Sequence, residues 1–179
     1  MMDLRVTRTL KSIENTFVAT VLAVGFEKVT VVQLAKDAMI NPKTFYDHFH
    51  DKYDLATFVA QQFLDRYTQV LQTRLQNMTV TLPLTAVVTA LLSESDLKLT
   101  WQALTRIKFD DFDFRQQLIE LMQTQLAAAD LTHDPLALAV LPACAFETLN
   151  YYIESGEPFT VQRQQELLRL VTALLTTTA

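Results

Sequence analysis

Five side chains that can donate or accept hydrogen bonds lie close together near residue 45: Asn41, Lys43, Thr44, Tyr46 and His48. Side chains of these types read base edges in the major groove of DNA and hold phosphate oxygens. Phe45 and Phe49 are four residues apart and fall on one side of a helix, which leaves the polar residues on the other sides. We therefore predict a short helix that buries two phenylalanines and presents a polar face suited to double-stranded DNA.

No other part of the sequence groups reactive side chains in this way. Asp110, Asp111 and Asp113 lack the glycine and the alternating Asp/Asn pattern of a calcium loop, so a solvated turn is the favoured interpretation. The lone Cys144 has no histidine motif beside it and is predicted to be a buried, small apolar residue. We expect no catalytic residue, no metal and no cofactor, and an unrecognised enzyme is the least favoured hypothesis.

Two short helices joined by a tight turn are predicted to position the polar face. Thr30 can cap the first helix, and Asn41 followed by Pro42 is a start signal for the second. Met39 and Ile40 form the turn, where a left-handed backbone at Met39 costs about 1 kcal/mol. Helices this short are stable only when packed against a neighbour. The inward face of the first helix and a stripe in residues 5–24 can make that contact: Val31, Leu34, Ala35 and Ala38 with Leu10, Ile13, Phe17 and Val21.

The N-terminal residues resemble the DNA-binding domain of TetR-family transcriptional regulators over about residues 5–56. The matching positions are Gly25-Phe26, Thr30, Ala35, Ala38, Ile40-Asn41, Thr44-Phe45-Tyr46, His48-Phe49 and Lys52. The resemblance implies a helix-turn-helix in which one set of side chains holds phosphates: Thr30, Thr44, Tyr46 and Lys52. It also implies a second set that faces the major groove or its walls: Asn41, Lys43, Tyr46 and His48. A negative partner such as a phosphate would explain Lys52, because a lysine in the first turn of a helix opposes the helix dipole.

The composition predicts an all-α protein, because half of the residues are apolar and the chain has only two glycines and five prolines. With the resemblance, we expect about nine helices in two domains. Residues 1–50 would form the helix-turn-helix domain, and residues 51–179 a helical domain for effector binding and dimerisation. The helices after residue 50 are predicted at 52–77, 84–92, 97–108, 115–129, 135–155 and 161–175, with Ser95 or Asp96 as a cap and a kink near Leu138 caused by Pro142.

The last two predicted helices carry more apolar surface than one neighbour can cover. This pattern predicts a homodimer formed through a four-helix interface, and the resemblance implies the same arrangement. The alternative, in which both helices are the core of a monomer, stays open. The resemblance also implies a pocket for a small-molecule effector, with Trp101 and Met122 as candidate lining residues, although aromatic residues at helical spacing are more often core.

The charge distribution leaves two functional hypotheses. Residues 1–55 hold seven basic and seven acidic residues, whereas the remainder holds eight basic and thirteen acidic residues. The main hypothesis is a ligand-responsive, homodimeric repressor on a palindromic operator with half-sites about one helical turn apart. The neutral N-terminal part and Asp47 favour an alternative, a co-regulator with weak DNA affinity that acts mainly through a protein partner. TetR-like activators of dihydroxyacetone-kinase operons are of that type. The lone cysteine, the lack of a signal sequence and the absence of an apolar run of membrane length predict a cytoplasmic protein.

Overall fold

The computed structural model describes residues 4–76, 95–110 and 112–176, and these residues contain eight α-helices and no strand. The helices are α1 (Leu4–Val24), α2 (Val31–Asp37), α3 (Pro42–Tyr46), α4 (Lys52–Gln76), α5 (Ser95–Leu104), α6 (Phe114–Ala128), α7 (Pro135–Ser155) and α8 (Val161–Thr176). A short 3-10 helix, Phe26–Lys28, links α1 to α2. The all-α prediction is confirmed. The helix predicted at 84–92 and the link before it lie outside the described residues.

The predicted capping residues begin three of the helices. The Thr30 hydroxyl accepts a hydrogen bond from a backbone N–H of α2 at 3.3 Å, and the Asn41 side chain accepts one from α3 at 2.8 Å. Asp134 accepts one from α7 at 2.8 Å, immediately before Pro135. Each cap satisfies one of the free backbone donors at a helix start, which fixes where these helices begin.

Helix α5 differs from its predicted bounds of 97–108. It begins at Ser95, so Asp96 lies in the first turn instead of capping the helix. After Leu104 the backbone winds more tightly, with bonds from Arg106 to Ala103 and from Ile107 to Leu104. These tighter turns bring Ile107 into the core, where its side chain is buried. The predicted end of the helix was therefore too late, because the apolar pattern in the sequence continues to Ile107 while the α-helix ends at Leu104.

One continuous core runs from the N-terminal helices into the rest of the bundle. The predicted stripe on α1 is confirmed, with Ile13, Phe17 and Val21 all buried. The largest fully buried side chain is Trp101 of α5, which contacts three aromatic rings at 5.0 to 6.0 Å: Phe63, Phe114 and Phe146. Its indole N–H donates to the Asn150 side chain at 3.1 Å, so the one polar atom of the ring is satisfied.

Pro142 lies inside α7, and a side chain from α6 compensates for it. Proline has no backbone N–H, so the carbonyl of Leu138, four residues earlier, loses its usual partner in the helix. The side-chain amide of Gln123 donates to that carbonyl at 3.1 Å. This contact joins α6 to α7 at the position of the missing bond. The kink predicted near Leu138 stays a prediction.

The outward face of α7 and the described side chains of α8 remain uncovered. Leu136, Val140, Leu141 and Tyr151 of α7 are 46 to 71% exposed, as are Val161, Leu167, Leu168 and Leu170 of α8, at 46 to 59%. Cys144 lies on this α7 face and is exposed, so the prediction that it is buried is wrong. The helical phase explains the difference, because Cys144 follows Val140 by four residues and shares its face.

By length and composition α7 could cross a membrane, contrary to the expectation that no apolar run is long enough. Its inner face nevertheless packs in the bundle through Phe146, Leu149 and Ile153. Glu147 and Glu154 also form ion pairs with arginines of neighbouring segments. Packing of this kind is that of a helix within a helical bundle.

Candidate nucleic-acid interface

Helix α3 separates the polar and apolar side chains that the sequence predicted for it. Phe45 is completely buried and Phe49 is 4% exposed, whereas Tyr46 is 59% exposed. Four other predicted contact residues in or beside this helix also reach the surface: Asn41 and Lys43 are exposed, and Thr44 and His48 are half-buried. The structure therefore brings five of the seven candidate DNA contacts together on one short helix and its flanks.

Aromatic packing holds α3 in place from beneath. The Phe45 ring contacts the Phe49 ring at 5.6 Å, and Phe49 contacts Phe58 of α4 at 5.2 Å in an edge-to-face arrangement. Tyr46 packs edge-on against Phe45 at 5.7 Å, while more than half of its surface stays exposed. A helix of five residues has little stability of its own, so these contacts are what fix its direction.

The turn between α2 and α3 has the left-handed backbone considered from the sequence. Met39 has φ 55°, and its side chain is 93% exposed. The Met39 N–H donates to Lys36 at 3.1 Å and the Ile40 N–H donates to Ala35 at 2.9 Å, which is the Schellman pattern of a helix C-terminus. The Ser12 hydroxyl of α1 adds a bond to the Ala38 carbonyl at 3.3 Å, a contact that no local pattern in the sequence predicted.

Several donors on this surface remain directed outward. The Asn41 oxygen is used as the α3 cap, which leaves the amide N–H groups of that side chain to donate. The Thr30 hydroxyl accepts a backbone bond and still has its own proton to donate. Lys43 has no ion-pair partner among the described residues. This combination of amide, hydroxyl, phenol and ammonium donors suits phosphate oxygens and base edges.

Lys52 is placed differently from the other candidates. Its ammonium donates to the carbonyls of Phe26 and Glu27 at 3.1 and 3.0 Å. It also lies 4.8 Å from the centre of the Phe26 ring and 5.4 Å from that of Tyr53. The negative partner that we expected for this lysine is thus present within the protein, in two backbone carbonyls of the 3-10 helix.

Acidic side chains of the helix-turn-helix and the start of α4 limit the positive charge of the candidate DNA-binding surface. Asp47 follows α3 as its C-terminal cap and is exposed. On α2, the Gln33 side chain donates to Asp37 at 2.7 Å. The backbone N–H of His50, two residues before α4, donates to Asp54 in the first turn of α4 at 3.0 Å. That second bond holds the pKa of the Asp54 carboxyl below its usual value. The Asp54 carboxylate therefore stays charged at neutral pH.

The two candidate effector-pocket residues lie in the core. Trp101 is completely buried and Met122 is 4% exposed, and neither of them lines either of two clefts in the described part of the chain. The larger cleft, of about 400 Å³, lies between α1, α4 and α5 and has a mixed-charge lining that includes Lys11 and Glu14. Partial burial raises the pKa of the Glu14 carboxyl, although Lys11 at 3.8 Å opposes that shift. No group of three metal-binding side chains is found among the described residues.

A helix-turn-helix supported by a first helix and followed by a helical bundle is the architecture of TetR-family transcriptional regulators. Solved structures of such regulators superpose on this chain. NalD, the secondary repressor of the MexAB-OprM multidrug efflux pump in Pseudomonas aeruginosa, superposes with a TM-score of 0.64 at 17% identity, covering 88% of this chain and 90% of NalD.

Two further structures give the same result. A TetR-family transcription regulator from Marinobacter aquaeolei VT8 has a TM-score of 0.60 at 17% identity, with 90% of this chain and 92% of that chain covered. SmeT in complex with triclosan has a TM-score of 0.64 at 12% identity, with 93% and 90% covered. No protein-family model and no curated protein matches the sequence. The chain has the TetR-family fold, and the resemblance drawn from its sequence is confirmed at that level.

Proposed function

We propose that this protein is a homodimeric DNA-binding transcriptional regulator, acting as a ligand-responsive repressor on a palindromic operator. The observation that carries the proposal is the polar face of α3, presented outward over a buried pair of phenylalanines in a helix-turn-helix. Phe45 and Phe49 fix the helix, and Tyr46 extends from it with 59% of its surface exposed. A rigid helix with outward donors is what major-groove binding requires.

We assign the proposed roles from the hydrogen-bond donors of each side chain that are not used within the part of the protein that the structure describes. Asn41, Lys43, Tyr46 and His48 face the groove or its walls, where amide and ammonium donors pair with base acceptors. The hydroxyls of Thr30, Thr44 and Tyr46 hold phosphates and set the register of the protein on DNA. Residues 1–50 form the DNA-binding domain in this proposal, and residues 51–179 form the regulatory and dimerisation domain.

The exposed faces of α7 and α8 support the proposed dimer. All the described side chains of α8 are at least partly exposed, and four of them are large and apolar, as are four on the outer face of α7. A second copy that covers both faces would form a four-helix interface and remove this surface from water. Dimerisation would also place two α3 helices on successive turns of the DNA.

The role as a repressor and the response to a small molecule are proposed from the similar structures. NalD is described as a repressor, and SmeT was solved with triclosan bound. We place the effector site in the helical part after residue 50 and the protein in the cytoplasm, where a regulator of transcription acts.

The test is a salt titration of binding to the DNA upstream of the gene. Specific, footprinted binding is expected, with a slope of log K against log salt of about −4 to −8, since each phosphate contact contributes about −0.9. Tyr46→Ala should abolish binding, whereas Tyr46→Phe should keep the ring packing and lose only the hydroxyl contact. The fluorescence of Trp101, the one tryptophan of the chain, checks that each variant is folded. Unchanged affinity in Tyr46→Ala would overturn the assignment.

The charge balance favours a second candidate, a co-regulator that acts mainly through a protein partner. Residues 1–55 carry no net charge, since seven basic residues are balanced by seven acidic ones, and Asp47 is exposed beside the proposed phosphate contacts. Phosphate neutralisation supplies much of the affinity for DNA, so a neutral surface binds weakly. Weak binding that is the same on any DNA, together with a stable protein partner recovered by pull-down, would favour this candidate over the repressor.

A further inference from the structure

We infer that Lys52 is a positioning residue that fixes the geometry of the helix-turn-helix and does not contact phosphate. The inference deepens the proposed DNA-binding function and rests on it. Two of the three ammonium protons of Lys52 are directed at backbone carbonyls, those of Phe26 and Glu27, at 3.1 and 3.0 Å. A lysine that binds DNA as a point charge needs its ammonium directed toward the phosphates.

The two carbonyls belong to the 3-10 helix that links α1 to α2. A backbone carbonyl oxygen carries partial negative charge, and an ammonium that donates to it forms a charge-assisted hydrogen bond. Lys52 also stands in the first turn of α4, where the dipole of its own helix disfavours a positive charge. The bonds to Phe26 and Glu27 offset that cost within the protein, so no external anion is needed to explain the lysine.

Two aromatic rings also contact the Lys52 ammonium. Its distances of 4.8 Å to the Phe26 ring centre and 5.4 Å to the Tyr53 ring centre are within the range of cation–π attraction. The two rings contact each other at 5.4 Å, and Phe109 from the segment after α5 packs against both, at 5.5 and 4.9 Å. Lys52 is therefore held by two carbonyls and by a ring cluster that also receives a side chain from the helical bundle.

The position of these contacts in the chain gives Lys52 its effect. Residues 26 and 27 precede α2, and residue 52 follows α3, so the contact closes a segment that contains the whole helix-turn-helix. Holding both ends of the segment restricts how α2 and α3 can shift relative to α1 and α4. A recognition helix that is already in its bound orientation avoids an ordering cost when it meets DNA.

The experiment compares three variants in the salt titration described above. Lys52→Met keeps the apolar stem and removes the donors, Lys52→Arg restores a cation that can donate to two carbonyls, and Lys43→Ala removes an ammonium that we propose to lie at the groove or its walls. For Lys52→Met we expect an affinity about tenfold lower at every salt concentration with an unchanged slope. Lys52→Arg should recover most of the loss, while Lys43→Ala should make the slope shallower by about 1.8, because each copy of the homodimer loses one cation near the phosphates and each contributes about 0.9.

A second measurement does not depend on DNA. Amide hydrogen exchange in the full chain should become faster at Lys28 and Val29, whose N–H groups bond within the 3-10 helix, in Lys52→Met but not in Lys43→Ala. If the wild-type protein shows no specific binding, the proposed function fails, and hydrogen exchange alone decides the role of Lys52. A slope that is shallower by about 1.8 in Lys52→Met, the loss of one phosphate contact in each copy of the homodimer, would overturn the inference. Unchanged exchange at Lys28 and Val29 would also overturn it.

Discussion

Replacing Met39 with glycine should make the protein more stable. Met39 has φ 55°, a left-handed conformation that costs an L-residue about 1–2 kcal/mol. Glycine adopts this conformation without that cost. It also makes the unfolded chain more flexible, which destabilises the folded state by about 0.5–1 kcal/mol. The Met39 side chain is 93% exposed, so its removal loses almost no burial. The net gain is about 0.5–1 kcal/mol, or a melting temperature about 1–4 °C higher for a chain of this size.

Urea unfolding followed by the fluorescence of Trp101 measures this gain. Trp101 is completely buried, so its emission reports loss of the core. All variants are compared at one protein concentration, because dimerisation would make the midpoint depend on concentration. We expect Met39→Gly to raise the midpoint without changing the denaturant dependence, since the turn is exposed and the folded surface is nearly unchanged.

Two matched positions isolate the backbone effect. Asp130 has φ 54° and ends α6 in the same hydrogen-bond pattern as Met39. Asp130→Gly should gain less, because aspartate tolerates this conformation better and Asp130 also pairs with His133 at 2.8 Å. Gly156 has φ 67° with no atom within 4 Å of an added Cβ, so Gly156→Ala should lose about 1 kcal/mol from the backbone alone. A Met39→Gly protein no more stable than wild type would refute the reasoning, as would a neutral Gly156→Ala.

Three further substitutions test the packing, the dimer and one titrating group. Gln123→Ala should lower the free energy of unfolding by about 1 kcal/mol, because it leaves an α7 carbonyl without a partner. The loss should shrink in a Pro142→Ala background, where the new backbone N–H bonds that carbonyl, as a double-mutant cycle in urea will show. Leu168→Glu should convert the dimer to a monomer in sedimentation analysis, whereas Leu131→Glu, outside the α7 and α8 faces, should not; a dimeric Leu168→Glu protein would contradict the proposed interface. Glu14→Gln should stabilise the protein at pH 7, because burial raises the pKa of that carboxyl and the charged form is disfavoured in the fold. This benefit is full above the raised pKa and disappears below the ordinary value of 4.5, so equal benefits at pH 7 and pH 4 would refute the assignment.

Most helix positions could be predicted because their signals are local. Thr30, Asn41 and Asp134 cap the helices that follow them, and a cap depends only on residues two or three positions away. The separation of Phe45 and Phe49 from the polar side of α3 follows in the same way from the period of the helix. The end of α5 could not be predicted, because Ile107 continues the apolar pattern in a conformation that is no longer α-helical.

The contacts that were missed join residues far apart in the chain. Ser12 bonds to Ala38 across 26 residues, and Lys52 reaches Phe26 across the same separation. No periodicity in the sequence specifies which carbonyl a hydroxyl or ammonium will meet, since the partner is set only when the helices pack. A lysine in the first turn of a helix could be recognised as needing a negative partner. Whether that partner is a phosphate or a backbone carbonyl depends on the position of the 3-10 helix, and that position is a property of the packed fold.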